Sequence, residues 1–160
     1  MSPLRALLCV DGAAPDRLLD FAVPRLAEPI VWVATHIVDV RGRRDLGLLR
    51  GSITGAGPLS RAQQQAINAA TAEHTRAILD AAGASLRRRG LPLEPPQVRV
   101  GEPGREICAV AAAIGAGLVV LFASRRARAA SGPGSVGHTA RFVLDHAPCP
   151  VLLIRAAHVS

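Results

Sequence analysis

The sequence predicts an α/β protein built on a doubly wound, five-stranded parallel sheet with helices on both faces. Five short segments are almost entirely apolar, which is typical of parallel strands that are covered on both sides. Helical patterns separate most of these segments, and right-handed crossovers then wind the sheet in two directions from its centre. With 160 residues, 49% of them apolar, the chain is long enough for one domain and its core, which we predict to span 1–160.

The first part of the chain contains two strands and a helix. Residues 4–10 form a buried-strand pattern that ends at Asp11 and Gly12. Pro15 is well placed to begin a helix, and Pro24 should kink or shorten it. Residues 30–38, rich in Val and Ile, indicate the second strand, in which His36 is expected to be a packed residue rather than a catalyst.

A long loop and a long helix follow the second strand. Residues 41–60 are rich in Arg and Gly and lack a sustained period, so we expect a flexible loop. From Arg61 to Arg89 the pattern is helical, and Gly90 provides the stop. The arginines at 87–89 are expected to be exposed and to complement the helix dipole. The apolar stripe, with His74 as a half-buried core histidine, is predicted to comprise Ile67, Ala70, His74, Ala77, Ile78 and Ala81.

The rest of the chain alternates strands with two further helices. The strand patterns are residues 97–100, 118–122 and 151–154. One helix, with Ile107 and Val110 on its apolar face, precedes the fourth strand. The other, at 137–146, precedes the fifth strand and ends because Pro148 and Pro150 cannot continue it.

The winding of such a sheet predicts where a ligand binds. In open parallel sheets, ligands and above all phosphates bind where the chain leaves the carboxyl end of a strand and enters a helix. The winding direction reverses between the first and fourth strands, which leaves a crevice above their carboxyl ends. Asp11 and residues 123–138 border this crevice.

The net charge of +7 rests on arginine alone, because the sequence contains no lysine. This absence excludes a Walker A loop and any Schiff-base lysine, so phosphate must be bound by backbone N–H groups, helix N-termini or arginine. The chain has no Tyr, one Trp and three Phe, so no stacking platform for bases accompanies the arginines. We therefore expect no specific nucleic-acid partner.

The apolar runs and the cysteines predict a cytoplasmic protein without a metal site of its own. The longest apolar runs are of strand length, and residues 1–10 lack the pattern of a signal peptide, so no membrane partner is expected. Cys9, Cys108 and Cys149 are odd in number and widely spaced. They are predicted to be buried free thiols rather than disulfides or metal ligands.

No arrangement of residues predicts an enzyme. Neither a nucleophile–base–acid spacing nor a metal-ligand cluster nor a pair of carboxylates stands out. A binding or regulatory module is the better interpretation, with at most slow hydrolysis of a bound nucleotide, because no residue is expected to position an attacking water.

Five motifs carry more information together than singly. They are Leu7-Leu8-Cys9-Val10-Asp11-Gly12, His36-Ile37-Val38-Asp39, Val100-Gly101-Glu102-Pro103, Gly115-Ala116-Gly117-Leu118-Val119-Val120 and His146-Ala147-Pro148-Cys149-Pro150-Val151-Leu152-Leu153-Ile154-Arg155. In this order and spacing they resemble the hallmarks of the universal stress protein family, and the resemblance covers the whole chain. The last motif is the most specific of the five.

The resemblance implies a Rossmann-like sheet of strand order 3-2-1-4-5, of the adenine nucleotide alpha-hydrolase-like kind. It also implies a homodimer joined through the edge of the last strand, Pro150 to Arg155. The ligand implied is an adenine nucleotide such as ATP, AMP or cyclic AMP, with Mg²⁺ as its companion ion. The particular stress and the protein partner are not implied by the resemblance.

The loop after the fourth strand departs from the family's pattern. Nucleotide-binding members carry Gly-x-x-Gly, nine further residues, then Gly-Ser or Gly-Thr. Here the first two glycine positions fall on Ala123 and Arg126, and the final pair falls on Gly137-His138, one residue too far, or on Gly134-Ser135. Either the loop arginines replace backbone contacts to phosphate by charge-assisted ones, or the chain is a nucleotide-free dimeric interaction module that has lost ATP.

The resemblance also implies a set of nucleotide-binding residues. Asp11 would contact the adenosine part, Ile37 would present backbone groups to adenine, and His138 would donate to phosphate. The alternatives are an Asx-turn or helix cap for Asp11, and an exposed helix-start residue for His138. The full set is Cys9, Val10, Asp11, Ile37, Ala123, Ser124, Arg125, Arg126, Gly134, Ser135, Gly137 and His138.

Overall fold

The computed structural model describes residues 3–12, 15–26, 29–40, 60–123 and 136–155. The strands in these ranges are β1 (Leu4–Cys9), β2 (Ile30–Asp39), β3 (Gln97–Gly101), β4 (Leu118–Phe122) and β5 (Val151–Ile154), and the α-helices are α1 (Pro15–Ala22), α2 (Arg61–Arg88), α3 (Pro103–Ala113) and α4 (His138–His146). The five strands are parallel and lie in the order β3-β2-β1-β4-β5. This confirms the predicted fold class and strand order. The flexible loop predicted at 41–60 lies outside the described residues, apart from its last one.

The sheet has a hydrophobic core on each face because successive residues of a strand point to opposite sides. Leu8 and Trp32 lie in the core that α1 and α2 cover, whereas Leu7 and Val33 lie in the core that α3 and α4 cover. All four side chains are at most 1% exposed. Burial on both faces explains why the strands appear in the sequence as continuous apolar runs.

The ends of the helices follow local sequence. α1 ends at Ala22 and continues as one 3₁₀ turn that contains Pro24, so the prediction that this proline shortens the helix is confirmed. α2 begins with a capping box, in which the Ser60 side chain and Gln63 each bind the other's backbone N–H. It stops at Gly90, whose φ of 65° an L side chain rarely adopts.

The buried face of α2 differs from the predicted stripe. Its buried residues are Thr75, Ile78, Leu79, Ala82, Gly83, Ser85 and Leu86. His74 is exposed, so the prediction of a half-buried core histidine was wrong, and Ile78 is the only buried member of the predicted stripe. At 28 residues the helix is about 42 Å long and outreaches the ten-residue β2 at about 33 Å, so its first turns have little sheet to cover.

The arginines at the end of α2 hold α1 in place. Arg89 donates to Asp16 and to Asp20 over 2.5 Å each, Arg88 donates to Asp16 over 3.0 Å, and the Ser85 hydroxyl donates to Asp16 over 2.5 Å. The prediction that all three arginines of 87–89 are exposed was therefore wrong for Arg89, whose side chain is 24% exposed. It failed because the packing of α1 against α2 is not visible in the local sequence. Hydrogen bonds, first from Ser85 and then from Arg89, lower the pKa of Asp16 from 3.8 to about 2.

We expect the Asp16 cluster to stabilise the fold in a pH-dependent way. Because the pKa of Asp16 is lower in the folded protein than in the unfolded chain, its contribution is present above pH 3.8 and is lost as the pH falls through about 2. Asp16→Asn should therefore lower the urea midpoint at pH 7 and lose this deficit between pH 4 and pH 2. The control is Asp145→Asn, an exposed carboxylate of α4. An Asp16→Asn deficit that persists unchanged at pH 2 would contradict the prediction.

Gly104 allows α3 and α4 to approach closely. A Cβ placed there would lie 2.9 Å from the Cβ of Phe142, a distance that real contacts do not show. We expect Gly104→Ala to destabilise the protein by about 1–3 kcal/mol through this overlap, which exceeds the helix-propensity gain of at most about 1 kcal/mol. The control is Gly83→Ala in α2, where the added Cβ meets only the flexible Arg87 guanidinium at 3.3 Å. Urea unfolding should show a loss for the first variant and none for the second.

Within the described ranges, no helix has both the length and the apolar character required to cross a membrane.

Candidate functional site

The carboxyl ends of β1 and β4 meet at the centre of the sheet. β1 pairs with β2 on one side and with β4 on the other, so the winding direction reverses between β1 and β4. This is the switch point at which open α/β sheets bind ligands. The carboxyl ends of β1, β2 and β4 and the start of α4 lie at the same edge of the sheet.

At the end of β1, hydrogen bonds to β2 fix the direction in which the chain leaves the sheet. The Val10 N–H donates to the Thr35 carbonyl over 2.9 Å, which extends the parallel pairing beyond Cys9. The Val10 carbonyl lies 2.8 Å from Nδ1 of His36. Because a carbonyl only accepts, Nδ1 must carry the proton, and this fixes the tautomer of the neutral ring. The His36 side chain therefore positions the backbone from which Asp11 projects.

Asp11 lies at the edge of the sheet, just after the end of β1. It is exposed and is followed by Gly12, whose φ of 93° turns the chain away from the sheet. Its carboxylate is close enough to Cys9 to contribute to the raised pKa of that thiol. Asp11 thus lies at the carboxyl edge of the sheet, and its contact with a ligand stays a prediction.

The carboxyl ends of β2 and β4 lie at the same edge of the sheet. Ile37 is half-buried and packs against the same core as Cys9, the one beneath α3 and α4. Ala123 is buried, and its N–H donates to the Ile154 carbonyl over 2.9 Å, which extends the β4–β5 pairing by one residue. The predicted site residues Ser124, Arg125, Arg126, Gly134 and Ser135 come after this point and lie outside the described residues.

The N-terminus of α4 faces the same edge. Gly137 is its N-cap, with φ 88° and ψ 157°, a conformation that is essentially restricted to glycine. It provides no side-chain cap for the first turn, and the first-turn N–H groups give the helix start a partial positive charge. A backbone of this kind suits an anion.

His138, the first residue of α4, lies next to an acid that the sequence did not predict as part of the site. Its Nε2 atom is 3.6 Å from Oε1 of Glu102, which forms an ion pair when the imidazole is protonated. The Glu102 carboxylate also accepts from Arg105 over 3.1 Å. The sequence placed Glu102 only in the turn before Pro103. Its nearness to His138 could not be predicted, because it depends on how α3 packs against α4. A phosphate beside His138 would compete with Glu102 for the imidazole.

The three cysteines are free thiols, as predicted, but each is half-buried rather than fully buried. Burial raises the pKa of all three, and for Cys9 the neighbouring Cys108, Asp11 and Cys149 raise it further. They are therefore protonated at neutral pH and are poor nucleophiles. Among the residues that the structure describes, no cluster of three His, Cys, Asp or Glu side chains is arranged to hold a metal ion.

The described members of the predicted site share one edge of the sheet. They are Cys9, Val10, Asp11, Ile37, Ala123, Gly137 and His138. Sequence reasoning did not include Thr35, His36 or Glu102 in the site, although the first two support the end of β1 and the third faces His138.

The fold is that of a doubly wound α/β protein whose sheet reverses its winding direction between β1 and β4. The sequence model of the universal stress protein family matches residues 4–155, and the chain belongs to that family. No curated protein sequence matches it significantly.

Solved structures of the family have the same fold. A member from Burkholderia pseudomallei is 24% identical, with a TM-score of 0.62 over 95% of this chain and 96% of that one. The universal stress protein from Archaeoglobus fulgidus in complex with dAMP is 20% identical, with a TM-score of 0.57 over 96% and 99% of the two chains. A family protein from Arabidopsis thaliana with AMP bound is 16% identical, with a TM-score of 0.61 over 98% and 94%.

Proposed function

We propose that this protein binds an adenine nucleotide (ATP, AMP or cyclic AMP) at the switch point and acts as a non-enzymatic regulatory module of the stress response. The observation that carries the proposal is the convergence of Asp11, Ile37, Ala123 and the glycine-capped start of α4 on one edge of the sheet. Family membership and the nucleotide complexes of two structural relatives support it.

Each part of the crevice suits a different part of the ligand. The Asp11 carboxylate accepts hydrogen bonds from the adenosine part, and the backbone at Ile37 faces the adenine ring. The Gly137 backbone, the N-terminus of α4 and His138 suit the phosphates, since all three present N–H donors and the helix start carries a partial positive charge. Mg²⁺ would enter with a di- or triphosphate, because the described residues supply no metal-binding cluster.

The phosphate side is where this chain differs from the family's pattern. Ala123 and Arg126 occupy the first two glycine positions, and we propose that Arg125 and Arg126 contact phosphate through charged hydrogen bonds. Guanidinium groups bind phosphate oxygens in pairs and so replace a close backbone approach. Gly134 and Ser135 complete the proposed phosphate loop.

The test is to identify what the protein carries and what it binds. Freshly purified protein is unfolded, the released small molecules are analysed by mass spectrometry, and the emptied protein is titrated calorimetrically with ATP, AMP and cyclic AMP. GTP controls for adenine recognition, and moderate salt suppresses non-specific attraction to the arginines. We expect a stoichiometric adenine nucleotide. No released ligand and no heat with any of them would contradict the proposal and leave a nucleotide-free interaction module.

We further propose a cytoplasmic homodimer joined through the edge of β5. Residues Val151 to Leu153 are half-buried at the outer strand of the sheet, and an outer strand offers unpaired backbone groups to a second copy. The Pro150 and Ile154 carbonyls accept from β4, so the N–H of Leu153 points the other way. Leu153→Pro should convert a dimer into a monomer in sedimentation velocity, with Leu153→Val as the control. A monomeric wild type would contradict this proposal.

A further inference from the structure

A groove separates α2 from the outer strand β3, on the opposite face of the sheet from Ile37. Its volume is about 630 Å³, and its apolar wall consists of Val38, Leu79, Val98 and Val100. The two β3 valines are 47% and 60% exposed, because α2 packs over β2 and leaves β3 uncovered. A concave apolar surface of this volume has the dimensions of a small-molecule site.

Thr75, on the α2 side of the groove, has a hydroxyl without a partner. The residue is 6% exposed, and its Oγ1 atom makes no hydrogen bond within the described part of the chain. One turn earlier, the Thr71 hydroxyl donates to the Ile67 carbonyl over 2.8 Å, which is the usual arrangement in a helix. A buried hydroxyl with no partner is unfavourable, so a ligand that supplies an acceptor gains from meeting it.

The rim of the groove is polar and carries both signs of charge. Arg76 and Asp80 are exposed, lie one turn apart on α2, and form no salt bridge with the other residues that the structure describes. Arg76 would attract a negatively charged head group, and Asp80 would repel it. An uncharged acceptor close to Thr75 avoids this conflict.

The groove is separate from the crevice at the switch point. Val38 and Ile37 are neighbours in β2, so their side chains point to opposite faces of the sheet. Ile37 packs into the core that α3 and α4 cover, whereas the groove lies against α2. Binding in the groove therefore needs neither Asp11 nor the start of α4.

We infer that this groove is a second ligand site, for a small uncharged amphipathic molecule. Its apolar chain or ring covers the valines of β2 and β3, and its single hydrogen-bond acceptor takes the hydroxyl of Thr75. The Oγ1 atom of Thr75 is buried in the structure, so this contact requires a rotation about the Cα–Cβ bond that turns the hydroxyl toward the groove.

The test uses 1-octanol as the probe and methyl NMR of the full chain as the readout. We expect the methyl signals of Val98, Val100 and Leu79 to shift in a saturable manner. Thr75→Val keeps the shape and removes the hydroxyl, so it should weaken octanol binding roughly 3- to 10-fold. Octanoate should bind more weakly than octanol, because burial of its carboxylate against the apolar wall costs more than burial of a hydroxyl.

Two controls make the result specific. Val98→Asp places a charge on the exposed apolar wall and should reduce octanol binding more than 10-fold, whereas Asp11→Ala should leave it unchanged. Thr75→Val should keep or raise the thermal midpoint of unfolding, because the hydroxyl that it removes makes no hydrogen bond with the described residues. Equal octanol binding by Thr75→Val, or shifts spread over unrelated methyl groups, would overturn the inference. A lower thermal midpoint of unfolding for Thr75→Val would also overturn the inference.

Discussion

Replacing Asp11 by alanine is expected to weaken adenine-nucleotide binding roughly 10- to 100-fold while leaving the fold intact. The residue is exposed and follows β1, so its truncation leaves no cavity in the core. A hydrogen bond to a charged group contributes about 1.5–3 kcal/mol, and each 1.4 kcal/mol is a factor of about 10 in affinity. Calorimetric titration with ATP measures the loss, and the thermal midpoint checks the fold.

A series of ligands distinguishes the part of the nucleotide that Asp11 contacts. If the carboxylate accepts from the adenosine part, its removal weakens adenosine, AMP and ATP by the same factor. If it lay beside the phosphates, its negative charge would oppose them, and the alanine variant would bind ATP more tightly. Asp145→Ala, on the exposed face of α4, is the matched carboxylate control. Unchanged affinity for all three ligands would rule out the assignment of Asp11 to the site.

The limits of the strands could be predicted closely because they depend on the local sequence. β4 and β5 have the predicted bounds, and the observed limits of β1, β2 and β3 differ from the predicted ones by a single residue. Each apolar run begins directly after a Gly or a Pro, and the first three runs are also followed by an Asp or a Gly, residues that are unfavourable within a strand. The parallel order then follows from the handedness of the crossovers and from the family resemblance.

The face of α2 could not be predicted in the same way. Half of the predicted stripe consists of alanines, which fit either side of a helix. The true face includes Thr75 and Ser85, whose polar side chains resemble exposed residues. Ser85 is buried because it donates to Asp16 of α1. A polar residue whose partner lies 69 positions away in the chain carries no local sign of its burial.

The site was predictable as an edge of the sheet but not as a set of contacts. The order of strands is enough to place the residues after β1 and β4 together. The hydrogen bond from His36 to the Val10 carbonyl and the approach of Glu102 to His138 depend on side-chain directions and helix packing. Neither carries a motif, so they became visible only in the structure.

Gly137→Ala is expected to have the second large effect, on both stability and phosphate binding. Alanine is strained at φ 88° and ψ 157°, at a cost of about 1–3 kcal/mol. Relief of that strain would rotate the N–H groups that begin α4 away from the crevice. We therefore expect affinity for ATP to fall more than affinity for adenosine, because only ATP uses the start of the helix.

Gly115→Ala separates the two effects. Gly115 also has a positive φ, of 61°, and a Cβ there would meet no atom within 4 Å, but it lies at the end of α3, before β4 begins. It should lower the urea midpoint without changing either affinity, so a loss of ATP binding shared by both variants would reflect instability alone. A loss confined to Gly137→Ala, and graded from ATP to AMP to adenosine, would identify Gly137-His138 as the pair that serves the phosphates. Equal losses for ATP and adenosine would exclude the α4 N-terminus from phosphate binding and favour Gly134-Ser135.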